Sequence, residues 1–263
     1  MANLPVRTHT FQVFRFASVD GQRHYRIEVA VPRKMPPKSG YPSLWLCDGN
    51  AALMALTPQD LEAAPDLVLV SLGYDIEGRF DLLARNYDYT PAVNGEATVD
   101  EMRPENRAGG AEVFTRFLMD RVWTTVKPIG LDSNRRGLWG HSYGGLFTLT
   151  TLFTHPELFK VYAAASPSLW WYEGKPFAGS PVAMSAKRDV LLMTGDAEVN
   201  RRVIHGRTLP SPEDTVSALK TLGARLRATQ NLHVETQILN GLNHGPVFEA
   251  SLPITLRYMT SHL

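Results

Sequence analysis

The chain has 263 residues, of which 44% are hydrophobic, 27 are Lys or Arg and 26 are Asp or Glu. A chain of this length can bury one large core, and its balanced charge produces no overall field that would attract nucleic acid or an anionic membrane. No apolar run reaches the roughly 18 residues expected of a membrane-spanning helix. We therefore expect one domain over residues 1–263, without a nucleic-acid or membrane partner.

Two features bear on the cellular compartment. Residues 1–7 lack the apolar region of a signal peptide, which favours a cytoplasmic protein, or a periplasmic one if a signal sequence was removed. Cys47 is the only cysteine and lies in an apolar run. We expect it to be a small buried residue rather than a reactive thiol.

The predicted elements alternate between strand and helix after a leading hairpin. Two strand-like runs around Asp20-Gly21 predict the antiparallel hairpin, and later apolar runs predict buried parallel strands. The predicted strands are residues 10–16, 25–31, 43–47, 66–73, 137–139, 160–165, 189–194 and 232–239, and the predicted helices are residues 111–126, 214–229 and 246–261 together with one that follows residue 142. This alternation predicts an α/β fold with a mostly parallel sheet, helices on both faces and functional loops at the carboxyl ends of the strands.

Two long segments lack apolar periodicity. Residues 74–110 and 196–213 are rich in charged and turn-forming residues, and each follows a predicted strand. Long loops within a compact domain are usually functional. We expect both to cover the active-site end of the sheet.

Residues 140–144 read Gly-His-Ser-Tyr-Gly, a Gly-x-Ser-x-Gly pentapeptide between a short apolar run and a helical run. The bare pattern recurs by chance, and the alternative is a glycine-rich turn between two core elements. A nucleophile elbow, however, needs a strand before the serine and a helix after it, with glycines where a Cβ would collide. All of these parts are present, so Ser142 is the predicted nucleophile of an α/β-hydrolase fold.

A serine nucleophile needs a base and a carboxylate, which follow it in the order acid, then histidine, in α/β-hydrolases. His244 follows the last predicted strand and is the predicted base, while His205 in the polar loop remains an alternative. Asp196 and Glu198 both follow the strand at 189–194. We favour Glu198, whose longer side chain can reach across from the loop, and expect the other carboxylate to cap the turn.

The oxyanion formed during attack needs N–H donors. The backbone N–H of Tyr143 is one, because it follows the nucleophile directly. A second donor is expected from residues 48–50, Asp-Gly-Asn, with Asn50 as the candidate and Gly49 letting the backbone come close.

Several segments together carry a family resemblance. They are residues 46–50 (Leu-Cys-Asp-Gly-Asn), 85–91 (Arg-Asn-Tyr-Asp-Tyr-Thr-Pro), 109–111 (Gly-Gly-Ala), 140–145 (Gly-His-Ser-Tyr-Gly-Gly) and 166–171 (Ser-Pro-Ser-Leu-Trp-Trp). Through these segments the chain resembles the bacterial putative-esterase family related to esterase D, a family of α/β-hydrolases. Within it the chain is most similar to the enterobactin and salmochelin trilactone esterases, which hydrolyse the serine-ester ring of catecholate siderophores. Cys47 departs from the apolar residue usual in the first segment.

The resemblance implies roles for particular residues. Residues 195–198 match the family's Gly-x-x-Asp/Glu acid loop, which supports Glu198 as the acid. Arg85 lies in the segment whose arginine, in the siderophore esterases, helps to bind the carbonyl oxygen. Some of those enzymes work with a Ser-His pair and a loosely placed acid, so the resemblance by itself does not require Glu198.

The implied substrate is a catecholate siderophore such as enterobactin or its ferric complex, and the implied chemistry needs no metal or organic cofactor. A ferric tricatecholate is anionic and aromatic, so its site should offer cations and rings. Trp170 and Trp171 are the predicted rings, and the candidate cations in the two long loops are Arg79, Arg85, Arg103, Arg107, Arg201, Arg202 and Arg207.

Two alternatives remain at this stage. One is a general carboxylesterase, for example an S-formylglutathione-hydrolase-like enzyme, and the other is a non-catalytic ligand-binding relative. The intact order of Ser, acid and His argues against the second. The arginine-rich loops and the paired tryptophans favour the siderophore esterase over the first, because a small neutral ester needs neither.

Overall fold

The structure is a computed structural model that describes residues 7–95, 98–198, 203–204, 207–208 and 212–263, with the backbone alone at 203–204, 207–208 and 212–213. Its strands are β1 (His9–Ala17), β2 (His24–Pro32), β3 (Tyr41–Leu46), β4 (Val68–Tyr74), β5 (Thr98–Val99), β6 (Arg107–Ala108), β7 (Leu131–His141), β8 (Val161–Ala165), β9 (Arg188–Gly195), β10 (Val203–Ile204), β11 (Arg207–Thr208) and β12 (Leu232–Leu239).

The central sheet has eight strands in the order β1-β2-β4-β3-β7-β8-β9-β12. β1 pairs antiparallel with β2, and β2 pairs antiparallel with β4. All remaining neighbours in this sheet pair in parallel. The predicted leading hairpin and mostly parallel sheet are therefore confirmed.

The helices in the described part of the chain are α1 (Gly49–Ala55), α2 (Pro58–Glu62), α3 (Leu82–Tyr89), α4 (Ala111–Phe117), α5 (Thr124–Val126), α6 (Tyr143–Thr154), α7 (Pro212–Arg227) and α8 (His244–His262). A π-helical turn at Leu118–Trp123 joins α4 to α5, so the helix predicted over 111–126 is nearly continuous. None of the described helices combines the length and apolarity that crossing a bilayer requires.

Helix α3 lies inside the segment 74–110, which lacks the apolar periodicity of a helix. Asp81 caps its amino-terminal end, where the Asp81 carboxylate accepts a hydrogen bond from the N–H of Ala84 at 3.0 Å. Its buried face is largely polar and includes Arg85, Asn86 and Asp88. The prediction of one long loop there was wrong, because a helix with a polar buried face produces no hydrophobic period.

Two apolar cores lie on opposite faces of the sheet, because successive side chains of a strand point to opposite sides. In β3, Trp45 packs in the core beneath α4, α6 and α7, whereas Leu44 and Leu46 pack in the core beneath α1, α2 and α8. The carboxyl ends of β3, β7, β8, β9 and β12 share one edge of the sheet, since these strands run parallel. The chain segments that follow them therefore meet at that edge.

Candidate active site

Ser142 occupies a sharp turn between β7 and α6. Its backbone has φ 58° and ψ −116°, a conformation that a residue with a side chain rarely adopts. The N–H of Ser142 donates to the carbonyl of Ala165 at 3.0 Å, and the N–H of Leu146 donates to the carbonyl of Ser142 at 2.9 Å. Such strain persists only where the surroundings impose it, and it is concentrated at functional sites.

Glycines flank Ser142 because the turn leaves no room for a Cβ. A Cβ on Gly140 would lie 2.1 Å from the carbonyl oxygen of Gly144, and a Cβ on Gly144 would lie 3.0 Å from the Cβ of Cys47. The first contact is with backbone that cannot move aside. Cys47 is itself buried, and burial followed by the charge of Asp48 raises the pKa of its thiol well above the ordinary value.

His244 and Glu198 form a hydrogen-bonded pair beside this turn. His244 Nδ1 lies 3.0 Å from Glu198 Oε2; the carboxylate side chain is 1% exposed and the imidazole 33% exposed. A carboxylate only accepts hydrogen bonds, so the proton is assigned to Nδ1 and the lone pair to Nε2. This is the tautomer that can accept a proton from a serine hydroxyl.

His141, the residue before Ser142, holds His244 next to the nucleophile. The Nε2–H of His141 donates to the carbonyl of His244 at 2.8 Å, and the two ring centroids are 4.6 Å apart. Burial, followed by the neighbouring His244, lowers the pKa of His141 well below the ordinary value, so this ring is neutral. The contacts of the described residues include no direct Ser142–His244 hydrogen bond, and such bonds often tighten only when substrate is bound.

The second carboxylate oxygen of Glu198 is fixed by three donors. Oε1 accepts hydrogen bonds from the Ser166 hydroxyl, from the Thr194 hydroxyl at 3.0 Å and from the Gly195 N–H at 3.0 Å. Burial alone would raise the pKa of Glu198, but the bonds from His244, Ser166 and Gly195 outweigh it, and the pKa lies below its usual value. Glu198 is therefore an ionised, oriented partner for the imidazole.

Asp196, the alternative acid, is exposed and contacts a different group. Its Oδ1 accepts a hydrogen bond from the N–H of Gly241 at 2.6 Å, which closes the turn after β12. The contacts thus bring Glu198 to the imidazole and leave Asp196 as a turn cap. His205, the alternative base, lies outside the described residues.

The candidate oxyanion donors differ in availability. The N–H of Tyr143 lies in the first turn of α6, where backbone N–H groups have no partner within the helix. The side chain of Asn50 is unavailable, because its Oδ1 accepts from the N–H of Tyr74 at 2.8 Å and its Nδ2 donates to the carbonyls of Tyr74 and Ile76 at 3.0 and 3.3 Å. For Asn50, the backbone N–H in the first turn of α1 remains for this role.

Gly49 is required where α1 packs against β4. A Cβ there would lie 2.6 Å from the backbone nitrogen of Leu72 in β4. Glycine is therefore needed for the close approach of α1 to β4, and its expected role beside the oxyanion stays a prediction.

Arg85 is buried beside the elbow and forms a bidentate ion pair. Its Nε lies 2.8 Å from Asp48 Oδ1, and its Nη2 lies 2.9 Å from Asp48 Oδ2. The guanidinium carbon is 5.6 Å from the centroid of the Tyr143 ring. Burial would lower the pKa of Arg85, but Asp48 outweighs burial and raises it. These contacts agree with the expected position of Arg85 beside the nucleophile. Its positive charge was expected to be free for an anionic substrate, but Asp48 balances it.

The two tryptophans have different surroundings. Trp171 is 0% exposed and packs in the core, with its ring 5.5 Å from that of Tyr143, so its predicted contact with substrate was wrong. Trp170 is partly exposed and lines a cavity of about 250 Å³ together with Leu169, Leu219 and Thr194. Because Thr194 also donates to Glu198, this cavity lies beside the acid.

The other arginines predicted as cations of the site have different surroundings. Arg79 pairs with Glu249 at 3.1 Å and lies 5.8 Å from the centroid of Phe248, a ring that is itself 5.4 Å from that of His141. The exposed Arg103 adjoins Asp100, which accepts a hydrogen bond from the Tyr143 hydroxyl at 3.0 Å.

Arg107 instead lies 5.1 Å from the Tyr87 ring and lines a cavity with Gln22 and Arg23 of the β1–β2 hairpin region, so its contacts do not support the predicted role as a cation of the site. Arg201 and Arg202 are outside the described residues, and Arg207 is described only in its backbone.

Sequence reasoning missed the residues that support the site. Asp48 neutralises Arg85, Ser166 and Thr194 fix Glu198, and His141 holds His244. Apart from Thr194, which is four residues before Glu198, these side chains join segments that are far apart in the chain, so spacing offers no signal for them. Asp48, His141 and Ser166 lie in segments of the family resemblance, but those segments do not show which side chain each of them contacts.

The site has a strained serine at a strand–helix corner, and a buried carboxylate that is bonded to a histidine follows it in the chain. This arrangement defines an α/β-hydrolase. The family model described as "Putative esterase" matches residues 18–203, and the chain belongs to this family.

Individual relatives extend the likeness along the chain. The chain is 35% identical over 251 residues to the apo-salmochelin esterase of Escherichia coli O6:H1 strain CFT073, covering 92% of this chain and 76% of that protein. It is 33% identical over 180 residues to the ferri-bacillibactin esterase BesA of Bacillus subtilis strain 168, covering 63% of this chain and 60% of that protein. The solved structure of the enterobactin and salmochelin hydrolase IroE superposes with a TM-score of 0.78 at 32% identity, covering 97% and 96% of the two chains.

Proposed function

We propose that this chain is a serine esterase that hydrolyses the ester bonds of a catecholate siderophore built on a trilactone, such as enterobactin. The observation that carries the proposal is the 3.0 Å contact between Glu198 and His244 beside the strained Ser142, in a chain similar to an apo-salmochelin esterase over 92% of its length. Hydrolysis of the siderophore would weaken its hold on iron and so serve iron release.

In the proposed first half-reaction, the Ser142 hydroxyl oxygen attacks the carbonyl carbon of an ester bond. His244 Nε2 accepts the hydroxyl proton, and Glu198 stabilises the imidazolium through Nδ1–H. The backbone N–H groups of Tyr143 and Asn50 donate to the oxyanion, and the N–H groups of Arg85 not used by Asp48 add to this stabilisation. The C–O bond then breaks, and His244 protonates the departing alkoxide.

The second half-reaction releases the acyl group. Water attacks the ester of Ser142 while His244 accepts a proton from it. The resulting tetrahedral intermediate collapses, the serine oxygen takes back a proton from His244, and a carboxylic acid leaves. These steps use no metal ion or organic cofactor.

The surroundings of the site support an aromatic, anionic substrate. Trp170 offers a partly exposed ring on the cavity of about 250 Å³ beside Glu198, a space that can take one catechol ring. Arg79 and Arg103 lie near the rings of Phe248 and Tyr143, respectively, and would attract catecholate oxygens. Relatives named for iron-free and for ferric siderophores both exist, so both forms are suitable substrates for a test.

A general carboxylesterase is the second candidate, and two observations favour it. The charge of Arg85 is balanced by Asp48, and Trp171 is in the core. The positive charge of Arg85 and the ring of Trp171, both expected to bind an anionic siderophore, thus stabilise the fold instead. A small neutral ester would need neither of them.

The decisive experiment compares three substrates with the parent protein: iron-free enterobactin, ferric enterobactin and p-nitrophenyl butyrate. Product chromatography should show cleavage of the trilactone, with kcat/KM roughly 10²-fold or more above that for the butyrate ester. Ser142→Ala is the negative control on all three. Comparable or higher kcat/KM for the butyrate ester would favour the general carboxylesterase, and no hydrolysis of any substrate would leave the non-catalytic relative.

A further inference from the structure

A cluster of metal-ligating side chains lies at the end of the sheet opposite Ser142. It consists of Asp189 at the start of β9, His233 at the start of β12 and His262 at the end of α8. One ligand atom from each of the three residues lies within 4.8 Å of the other two. Because β9 and β12 run parallel and in register at Asp189 and His233, these residues mark the amino ends of the strands, whereas Ser142 follows the carboxyl end of β7.

The contacts within the cluster leave imidazole nitrogens suited to a metal ion. His262 Nδ1–H donates to the carbonyl of Tyr258 at 2.8 Å, so the lone pair of this ring is on Nε2. A bond of this kind, from one ring nitrogen to a carbonyl, orients the histidine ligands of most metal sites. His233 Nδ1 lies 3.1 Å from Asp189 Oδ1, and a metal ion would replace the proton that these two groups share.

The charge around the cluster suits a dication. Glu235 follows His233 by two residues on β12, so it lies on the same face of the strand, and its Oε1 is 3.9 Å from His262 Nε2. The carboxyl-terminal end of α8 adds a partial negative charge.

The donor set favours a first-row transition ion over Mg²⁺ or Ca²⁺, which prefer ligands that are all oxygen. Two imidazoles with one or two carboxylates are common Zn²⁺ ligands, and tetrahedral Zn²⁺ at about 2.0 Å from each donor holds its donors roughly 3.3 Å apart. The cluster would have to contract slightly, and the His233 side chain, 57% exposed, has the freedom to move.

We propose that Asp189, His233 and His262, with Glu235 as a fourth ligand, bind Zn²⁺ and so tie together β9, the edge strand β12 and the end of α8. The ion stabilises the fold at a distance from Ser142 and takes no part in ester hydrolysis. Neither family membership nor ester hydrolysis requires this site.

The test measures Zn²⁺ binding to the full chain after treatment with a chelator, by isothermal titration calorimetry with ZnCl₂. The matched pair of variants is His233→Ala, which removes a ligand, and His24→Ala, which removes an exposed histidine from β2. The parent and His24→Ala should bind one equivalent. His233→Ala should lose about 100-fold or more in affinity, since a ligand itself is removed.

Thermal unfolding provides a second readout. At saturating Zn²⁺ the Tm of the parent and of His24→Ala should rise by roughly 5 °C or more, and that of His233→Ala should not. His233→Ala should hydrolyse p-nitrophenyl butyrate at the parent's rate in metal-free buffer, which shows that it folds.

Three results would overturn the proposal. The first is that the parent binds no Zn²⁺, and the second is that His233→Ala and His24→Ala lose binding equally. The third is that His233→Ala still binds fully and that Zn²⁺ inhibits its ester hydrolysis, which would place the ion at His244. His262→Ala is the check on the second imidazole, and it should lose binding to a similar extent.

Discussion

Asp48 and Arg85 form a buried bidentate ion pair between the segment after β3 and helix α3, next to the ring of Tyr143. Removing one member leaves the other charge buried without a partner, which costs about 3–5 kcal/mol. We expect this loss of unfolding free energy in Asp48→Ala and in Arg85→Ala.

The double variant separates pairing from packing. Because it leaves no unpaired charge, Asp48→Ala/Arg85→Ala should lose less free energy of unfolding than the sum of the single variants. Urea denaturation of the three proteins measures this difference. Strictly additive losses would mean that the two side chains act independently.

Ser142→Ala should abolish ester hydrolysis and leave the fold intact, because it removes only the hydroxyl from an already formed turn. We expect a fall in kcat of roughly 10⁴-fold or more, with an unchanged Tm and circular dichroism spectrum. Turnover above a tenth of the parent's, in a preparation free of contaminating esterase, would contradict the assignment of the nucleophile.

Glu198→Gln should reduce kcat far more than Asp196→Asn, since only Glu198 contacts His244. The amide cannot stabilise the imidazolium, and we expect a loss of roughly 10²-fold or more. Asp196→Asn is the matched control, and its kcat should stay within about threefold of the parent's. The reverse ranking in paired kinetics would transfer the role of acid to Asp196.

The two tryptophans should respond to substitution in opposite ways. Trp171→Ala empties a fully buried site and should cost about 3–5 kcal/mol of unfolding free energy. Trp170→Ala should change stability little and raise KM for enterobactin more than for an aliphatic ester such as ethyl butyrate, because only the siderophore has an aromatic ring to stack. Equal changes in KM for the two substrates would remove Trp170 from the substrate site.

Asp88 should make stability depend on pH. Burial raises the pKa of Asp88 from 3.8 to about 7, against the opposing effects of Arg23, Tyr25 and Tyr74. The folded protein therefore holds this proton more tightly than the unfolded chain, and stability falls as pH rises from about 4 to about 7.

The difference between Asp88→Asn and the parent isolates this contribution, since other titrating groups are common to both. In urea denaturation at several pH values, the variant should lose less stability than the parent across that window. Parallel curves for the two proteins would show that Asp88 stays ionised throughout.

Local patterns predicted much of the fold. The period of two in β12 predicted residues 232–239, which are the observed bounds, and the glycines around Ser142 predicted the strand–helix turn. His244 could be chosen because chain order and the end of the last strand together leave few candidates. These features depend on neighbouring residues, whose preferences are visible in a short window of sequence.

What the tertiary structure decided is which polar and aromatic side chains meet. Trp170 and Trp171 are adjacent, yet one lines a cavity and the other fills the core, because the chain turns between them. Asp48 neutralises Arg85 from 37 residues away, and Asn50 is bonded to the end of β4 instead of facing the site. Pairings of this kind arise from the order in which the strands assemble, and neither hydrophobic periodicity nor residue spacing carries that information.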